Sequence, residues 1–323
     1  MPLIENSSYK APFIFRNAHI NMIYPAFFRK ILNFDTQTER EELPDGDFFD
    51  TEWFRQNSKK LVVCLHGLEG DAKKHYVQGC MKLFVQNGYD AAGMYFRGCS
   101  NESNRLLPSY HSGFTKDLDY LIKKITAQKI YTDIILIGSS VGGNIVLKYG
   151  GEQGNLIAPE IKKIIAFSVP IWLNSCNEEI KKWYNRLYLE NFMRTLRAKA
   201  IEKDKIFRNI LNIKKIKSSK FFEDFDNHFT APVNGYADAA AYYAAASCAP
   251  YLEKITVPTL LVNALDDIFL SPDSFPRDLA RRSTTFFLET PEHGGHVGFM
   301  PADKNDFLWT DKRALQFAEE KTF

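Results

Sequence analysis

The segment Ile134–Asn144 constrains the fold of this chain more than any other. A run of aliphatic residues, Ile134–Ile137, leads directly into a Gly-x-Ser-x-Gly pattern, and a segment compatible with a helix follows. A serine on so sharp a turn needs small neighbours two positions away on each side, and Gly138 and Gly142 provide them. The order of strand, glycine-flanked serine and helix predicts a nucleophile elbow, in which the Ser140 hydroxyl projects above the carboxyl edge of a sheet.

Two other interpretations of this pattern have to be weighed. Turns of glycine and serine are common after strands, so a five-residue match also occurs by chance. A glycine-rich turn between a strand and a helix can also hold phosphate, but the chain has neither Gly-x-Gly-x-x-Gly nor Gly-Lys-Ser/Thr here. The interpretation therefore depends on whether a base and an acid follow downstream.

Composition places the chain among ordinary globular proteins. Its 323 residues are 45% hydrophobic and 25% charged, which suits one large α/β domain with an insertion, or two domains. The net charge of +2 gives no electrostatic case for nucleic-acid binding. Five widely spaced cysteines without a Cys-x-x-Cys pair suggest reduced, buried thiols and neither a disulfide framework nor a zinc site.

The beginning of the chain and its apolar runs bear on its location. Residues 1–20 mix polar and aromatic types and do not read as a secretory signal. The longest apolar runs are far shorter than the roughly 20 residues that span a bilayer. We expect a soluble cytoplasmic protein.

Strand-like and helix-like segments alternate along most of the chain. Strands are predicted at 60–65, 89–96, 134–137, 163–168, 257–262 and 285–288, and helices at 75–87 and 117–126. This alternation is typical of a mostly parallel sheet with helices on both faces. Residues 29–54, around Pro44-Asp45-Gly46, predict an antiparallel hairpin at the sheet edge. We therefore predict a single α/β domain over residues 1–323, with a helical cap inserted at 170–250.

The predicted cap contains a strongly basic stretch. Residues 181–220 hold thirteen Lys or Arg against three Asp or Glu, so this stretch has a net charge of +10 and the rest of the chain −8. A solvated polar face accounts for such a stretch. The alternative is a peripheral contact with anionic lipid surfaces.

The base is expected in the loop Glu292–Phe299, which follows the last predicted strand and contains two histidines. His296 is preferred, because the glycines on both sides of it allow the loop backbone to approach the elbow closely. We expect His293 to shape the loop.

The acid is expected where the strand 259–262 runs into an acidic turn. Both Asp266 and Asp267 are candidates, and either could merely cap the turn. Asp266 is preferred because it fits the usual spacing from strand end to acid. It would hold the tautomer of His296 and stabilise its imidazolium.

Two backbone N–H groups are needed to stabilise an oxyanion. One is expected from Val141, at the start of the helix after the nucleophile, and the other from Leu68 in the turn His66-Gly67-Leu68. We expect His66 itself to have a structural hydrogen-bonding role.

Six short motifs appear in order along the chain and together resemble one known family. The chain looks like the YheT-like α/β-hydrolases (AB hydrolase superfamily 4) on the segments His66–Gly70, Phe96–Cys99, Tyr110–Gly113, Gly138–Asn144, Asn263–Asp267 and Gly294–Phe299. The resemblance covers about residues 12–300. It implies an α/β-hydrolase fold with a cap, a triad of Ser140, Asp266 and His296, and hydrolysis of short- to medium-chain acyl esters or glycerolipids. Ser139 departs from the family pattern, in which a bulkier residue is more common.

The sequence therefore predicts a serine esterase that forms an acyl-enzyme and needs no metal or organic cofactor. Its partner would be a small-molecule acyl ester or lipid. A thioesterase or small-amide hydrolase with the same triad is one alternative. A hydrolase-fold protein that binds ligands without turnover is the other.

Overall fold

The computed structural model describes residues 2–29, 34–208 and 210–320. Within these residues nine strands form one sheet. The strands are β1 Leu3–Ile4, β2 Gln37–Glu42, β3 Phe48–Phe54, β4 Lys60–Leu65, β5 Asp90–Met94, β6 Asp133–Ser139, β7 Ile161–Phe167, β8 Thr259–Val262 and β9 Phe286–Glu289.

Twelve α-helices lie in the same described ranges. They are α1 Ala18–Phe28, α2 His75–Gln86, α3 Lys116–Ala127, α4 Val141–Gln153, α5 Leu173–Ile180, α6 Arg186–Phe207, α7 Ile213–Ser218, α8 Phe222–Phe225, α9 Ala231–Val233, α10 Ala239–Ala246, α11 Arg277–Arg282 and α12 Trp309–Glu319. Short 3-10 helices lie at Phe13–Arg16, Gly154–Leu156, Trp183–Asn185, Ala249–Lys254 and Pro272–Ser274, and a π-helical turn at Asp226–Thr230.

The sheet is mostly parallel, with the strand order β1-β9-β8-β7-β6-β4-β5-β3-β2. Only the pairs β3–β5 and β2–β3 are antiparallel within the described residues. The β2–β3 pair at the sheet edge confirms the predicted hairpin. Parallel neighbours align their carboxyl ends, so the loops after β4, β6 and β8 lie at one edge of the sheet.

The sheet separates two apolar cores because successive strand side chains point to opposite faces. Along β4, Leu61 and Val63 belong to one cluster, and Val62 and Cys64 to the other. A strand that is buried on both faces has a continuous apolar sequence, and this is why Ile134–Ile137 could be predicted as a strand.

Helices α5 to α10 all lie between β7 and β8 in the chain. A third apolar cluster joins several of them and includes Ile180, Met193, Ile216 and Phe225. The limits of 170–250 for a cap and the assignment of residues 1–323 to a single domain remain predictions. None of the helices among the described residues is long and apolar enough to cross a membrane. All five cysteines lie in the described ranges, and each is buried with a free thiol, as predicted.

Candidate active site

Ser140 lies on a strained turn between β6 and α4. Its backbone has φ 54° and ψ −120°, a conformation that L-residues rarely adopt. A Cβ on Gly138 would fall well inside contact distance of the Gly142 carbonyl group, and one on Gly142 would lie 2.5 Å from the His66 carbonyl oxygen. The two glycines therefore permit the close approach that the sharp turn requires.

His296 is the residue that the structure brings to Ser140. Its Nε2 atom lies 2.9 Å from the Ser140 hydroxyl oxygen. The His296 side chain is 12% exposed, and the Phe269 ring packs against it with ring centroids 4.8 Å apart. The histidine is thus held at the pocket wall and still reaches solvent.

Asp267, and not Asp266, lies against His296, so the sequence-based choice of acid was wrong. Asp267 Oδ2 lies 2.9 Å from His296 Nδ1, and its other oxygen accepts a hydrogen bond from the Phe269 N–H. The turn after β8 is closed by an Asp267 N–H to Ala264 carbonyl bond. The turn places Asp267, the fifth residue after β8, next to His296, and the Asp267 side chain is fully buried.

Asp266 contacts the histidine loop and does not contact His296. It accepts a hydrogen bond from the Gly295 N–H at 2.8 Å and lies 3.3 Å from His293 Nδ1. Burial raises the pKa of Asp266 above its ordinary value. His293 is therefore paired with Asp266, away from Ser140, in line with the expectation that it shapes the loop.

The two glycines flanking His296 approach helix α1, which corrects the expected approach to the elbow. A Cβ on Gly295 would lie 2.8 Å from the Met22 side chain, and one on Gly298 would collide with the Asn21 backbone. Asn21 also accepts a hydrogen bond from the Met300 N–H at 2.9 Å. Helix α1 therefore supports the loop that contains His296, a role that no sequence pattern indicated.

The turn after β4 faces the elbow. A Cβ on Gly67 would lie 3.2 Å from Ser140 Cβ, so Gly67 is an immediate neighbour of the serine, and Leu68 follows it in the chain. His66 Nε2 accepts the Phe96 N–H, so Nδ1 carries the proton and donates to the Gly67 carbonyl oxygen at 2.7 Å. Burial lowers the pKa of His66 to about 4, which keeps the ring neutral. His66 thus fixes the shape of this turn.

Two of the motif segments brace the loops around the site. The Arg97 guanidinium binds both carboxylate oxygens of Asp117, at 2.7 and 2.8 Å, and reaches Asp47 at 3.2 Å. Asn144 is fully buried and donates to the carbonyl groups of Ser112 and Ala246, both at 2.8 Å. These contacts tie α4 to the loop before α3 and to the end of α10.

Ser140 lines a pocket of about 1230 Å³, a volume that includes the solvent-filled space at its open mouth. Leu68 and Val141 line it beside the serine and histidine, and the remaining wall comes mainly from the segment between β7 and β8. That part of the wall is largely apolar and includes Leu173, Ile180, Phe192, Leu196, Phe222, Phe225 and Phe229. Such a wall favours a hydrocarbon group next to Ser140. Within the described residues, no group of three or more His, Cys, Asp or Glu side chains is placed to hold a metal ion.

The charge of the basic stretch 181–220 is only partly neutralised by ion pairs. Lys181 pairs with Glu178 and Glu223, and Lys199 with Glu69. Other cations of the stretch are exposed and make no ion pair with any residue that the structure describes, namely Arg186, Arg194, Lys205, Arg208, Lys214, Lys215, Lys217 and Lys220.

Comparison with known proteins adds relatives to this geometry. A family model described as "Serine aminopeptidase, S33" matches residues 56–296. The Escherichia coli (strain K12) protein named "Putative esterase YheT" is 34% identical over 299 residues, which cover 88% of this chain and 85% of that protein. Human "Phospholipase ABHD3" is 26% identical, with 79% of this chain and 64% of that protein covered. The yeast "Monoacylglycerol lipase" is also 26% identical, with 81% and 59% covered.

Solved structures of two esterases share the fold. The Pyrococcus furiosus esterase Pf2001 superimposes with a TM-score of 0.61 at 17% identity, covering 88% of this chain and 91% of that one. The Exiguobacterium antarcticum esterase has a TM-score of 0.55 at 18% identity, covering 87% and 99%. Together with the family match, these likenesses confirm the predicted α/β-hydrolase fold.

Proposed function

This chain belongs to the α/β-hydrolase family that the S33 model describes and that includes YheT, and we propose that it hydrolyses carboxylic esters through an acyl-enzyme on Ser140. The observation that carries the proposal is the connected set Ser140, His296 and Asp267, joined by two contacts of 2.9 Å. Because Asp267 accepts a hydrogen bond from the Nδ1–H group of His296, the unprotonated Nε2 is free to accept the Ser140 proton.

The reaction follows from this proton arrangement. Ser140 Oγ attacks the ester carbonyl carbon as His296 takes its proton, and the tetrahedral intermediate collapses when His296 gives that proton to the leaving alcohol. Water then attacks the acyl-enzyme with His296 again as base, and His296 returns the proton to Ser140 Oγ as the carboxylic acid leaves. Asp267 holds the imidazole in place and stabilises its charged form throughout.

The oxyanion is assigned to the backbone N–H groups of Val141 and Leu68. Val141 is the first residue of α4, where helix N–H groups lack intrahelical acceptors and the helix dipole favours negative charge. Leu68 lies in the turn after β4, directly after Gly67, which approaches Ser140. Each such donor contributes about 10²–10³ in turnover in enzymes of this mechanism.

The pocket supports acyl esters of short to medium chain, or glycerolipids, as the substrate class. Its wall has enough apolar side chains to hold a hydrocarbon chain beside Ser140. The relatives are named an esterase, a phospholipase and a monoacylglycerol lipase, which points to the same class of ester substrates.

The test is hydrolysis of p-nitrophenyl esters by Ser140→Ala. We expect the variant to lose all activity above the uncatalysed background, because no other group at this position can form the acyl-enzyme. Ser139→Ala is the matched control, since Ser139 precedes Ser140 in the chain and is not among the hydrogen-bond partners of His296, and we expect it to keep most of the activity. Full activity in Ser140→Ala would refute the proposal.

Thioesters and small amides are the second candidate substrates. The match to a family described as a serine aminopeptidase favours testing amides in particular. Matched octanoyl ester, thioester and anilide substrates separate these possibilities, and we expect the highest kcat/KM for the oxygen ester.

Contact with anionic membranes through the basic cap is part of the proposal. The exposed cations of the stretch supply the charge, and Trp183 and Leu187, 85% and 84% exposed at its start, supply apolar groups that can enter a lipid surface.

A further inference from the structure

Asn177 is a buried polar residue in the wall of the pocket that the proposed mechanism does not use. It lies on α5 with 5% of its surface exposed. Neither its Oδ1 nor its Nδ2 atom has a hydrogen-bond partner among the residues that the structure describes. Buried side-chain amides are nearly always bonded, so this amide is available to a ligand.

Asn177 is a polar residue among apolar neighbours in the pocket wall. Leu173, Cys176 and Ile180 on the same helix also line the pocket. An apolar side chain at position 177 would continue this wall and would not require desolvation of two polar atoms. The asparagine therefore places one acceptor and one donor group side by side on a wall otherwise suited to hydrocarbon.

The rest of the pocket narrows the kind of group that Asn177 can bind. Glu69 also lines it, and Glu69 Oε2 is buried without a partner within the described residues. The other oxygen of Glu69 pairs with Lys199 at 3.1 Å, and the second lysine of the lining, Lys203, donates to the carbonyl groups of Asn104 and Leu106. A free carboxylate oxygen disfavours an anionic substrate group and favours one that carries a proton to donate.

We infer that Asn177 is a specificity-determining residue that binds a free hydroxyl group of the substrate ester. A hydroxyl can donate to Oδ1 and accept from Nδ2, and so satisfies both atoms. This inference rests on the proposed ester hydrolysis. It adds that the preferred substrates are neutral hydroxylated esters, with the hydroxyl on the alcohol portion, as in a glycerol ester, or on the acyl portion, as in a hydroxy acid.

Two pairs of esters test the inference and distinguish the two positions of the hydroxyl. The first pair is 1-octanoylglycerol and propyl octanoate, and the second is ethyl 3-hydroxyoctanoate and ethyl octanoate. We expect the wild-type protein to prefer the hydroxylated member of at least one pair by about tenfold or more in kcat/KM. Asn177→Leu should lower that preference by about tenfold, since leucine retains the size of the side chain and removes both polar atoms.

The matched control is Asn174→Leu, on the exposed side of the same helix. It should keep the wild-type preference. Asn177→Ala is measured in parallel, with folding of each variant checked by circular dichroism, so that a failure of the leucine variant to fold does not decide the result.

The inference is overturned if the wild-type protein shows no preference in either pair, or if both Asn177 variants retain it. These outcomes are distinct from failure of the proposed function. If the wild-type protein hydrolyses none of the four esters and no p-nitrophenyl octanoate, the ester hydrolysis itself is wrong.

Discussion

At the residue scale, the two adjacent aspartates have different tasks. Asp267 contacts His296 directly, whereas Asp266 binds the Gly295 N–H and pairs with His293. The sequence showed that one of them would face the histidine, because both follow a strand that ends at the site. Which aspartate faces His296 depends on the hydrogen-bonded turn after β8. The residue types in that turn do not determine which of the two side chains points to the histidine.

Substitution of the two aspartates separates their tasks. Asp267→Asn should lower kcat for p-nitrophenyl esters by about 10³–10⁴, because the amide no longer selects the productive tautomer of His296. Asp266→Asn should cost less than about tenfold, since an amide oxygen can still accept the Gly295 N–H. Steady-state kinetics on both variants gives the comparison, and a larger loss in Asp266→Asn would reverse the assignment.

At the element scale, the strand, turn and helix around Ser140 were predictable and the support of the histidine loop was not. The pattern of β6 and α4 is local, so glycine spacing and aliphatic residues sufficed. Helix α1 contacts that loop across more than 270 residues of chain, through Asn21 and Met300. No short-range pattern reports such a contact.

Gly138→Ala tests the geometry of the elbow. The added Cβ would collide with the Gly142 carbonyl group, so the turn must open. We expect a loss of about 3 kcal/mol or more in the free energy of unfolding, measured by urea denaturation, and loss of esterase activity.

Gly88→Ala is the control for Gly138→Ala. Gly88 has a positive φ of 85° and no neighbouring atom within 4 Å of an added Cβ, so only backbone strain of about 1–2 kcal/mol applies. Wild-type stability and activity in Gly138→Ala would contradict the proposed role of the glycine.

At the scale of the whole molecule, charge and polar groups are unevenly distributed. Residues 181–220, within the predicted cap, have a net charge of +10 on a protein whose total is +2. The sequence revealed this segregation, but not the exposure of Trp183 and Leu187 or the unpaired amide of Asn177. Both depend on how helices α5 to α10 pack, and the segment between β7 and β8 has no alternation of strands and turns from which that packing could be predicted.

Vesicle co-sedimentation tests the proposed membrane contact. We expect binding to vesicles that contain phosphatidylserine, weak binding to phosphatidylcholine alone, and loss of binding at high salt. Charge reversal of the exposed residues Lys214, Lys215 and Lys217 to glutamate should weaken binding about tenfold or more. Reversal of Lys59 and Lys129, which lie outside the cap stretch, is the control. Binding that ignores anionic lipid and salt would contradict the contact.

The most direct test of the central claim is to locate the site of fluorophosphonate labelling by mass spectrometry. This reagent reacts preferentially with a serine that is activated as a nucleophile. We predict one modified residue, Ser140, and no labelling in His296→Ala. Labelling of Ser139 or another serine, or no labelling of the folded wild-type protein, would contradict the assignment of Ser140, His296 and Asp267 as a catalytic triad.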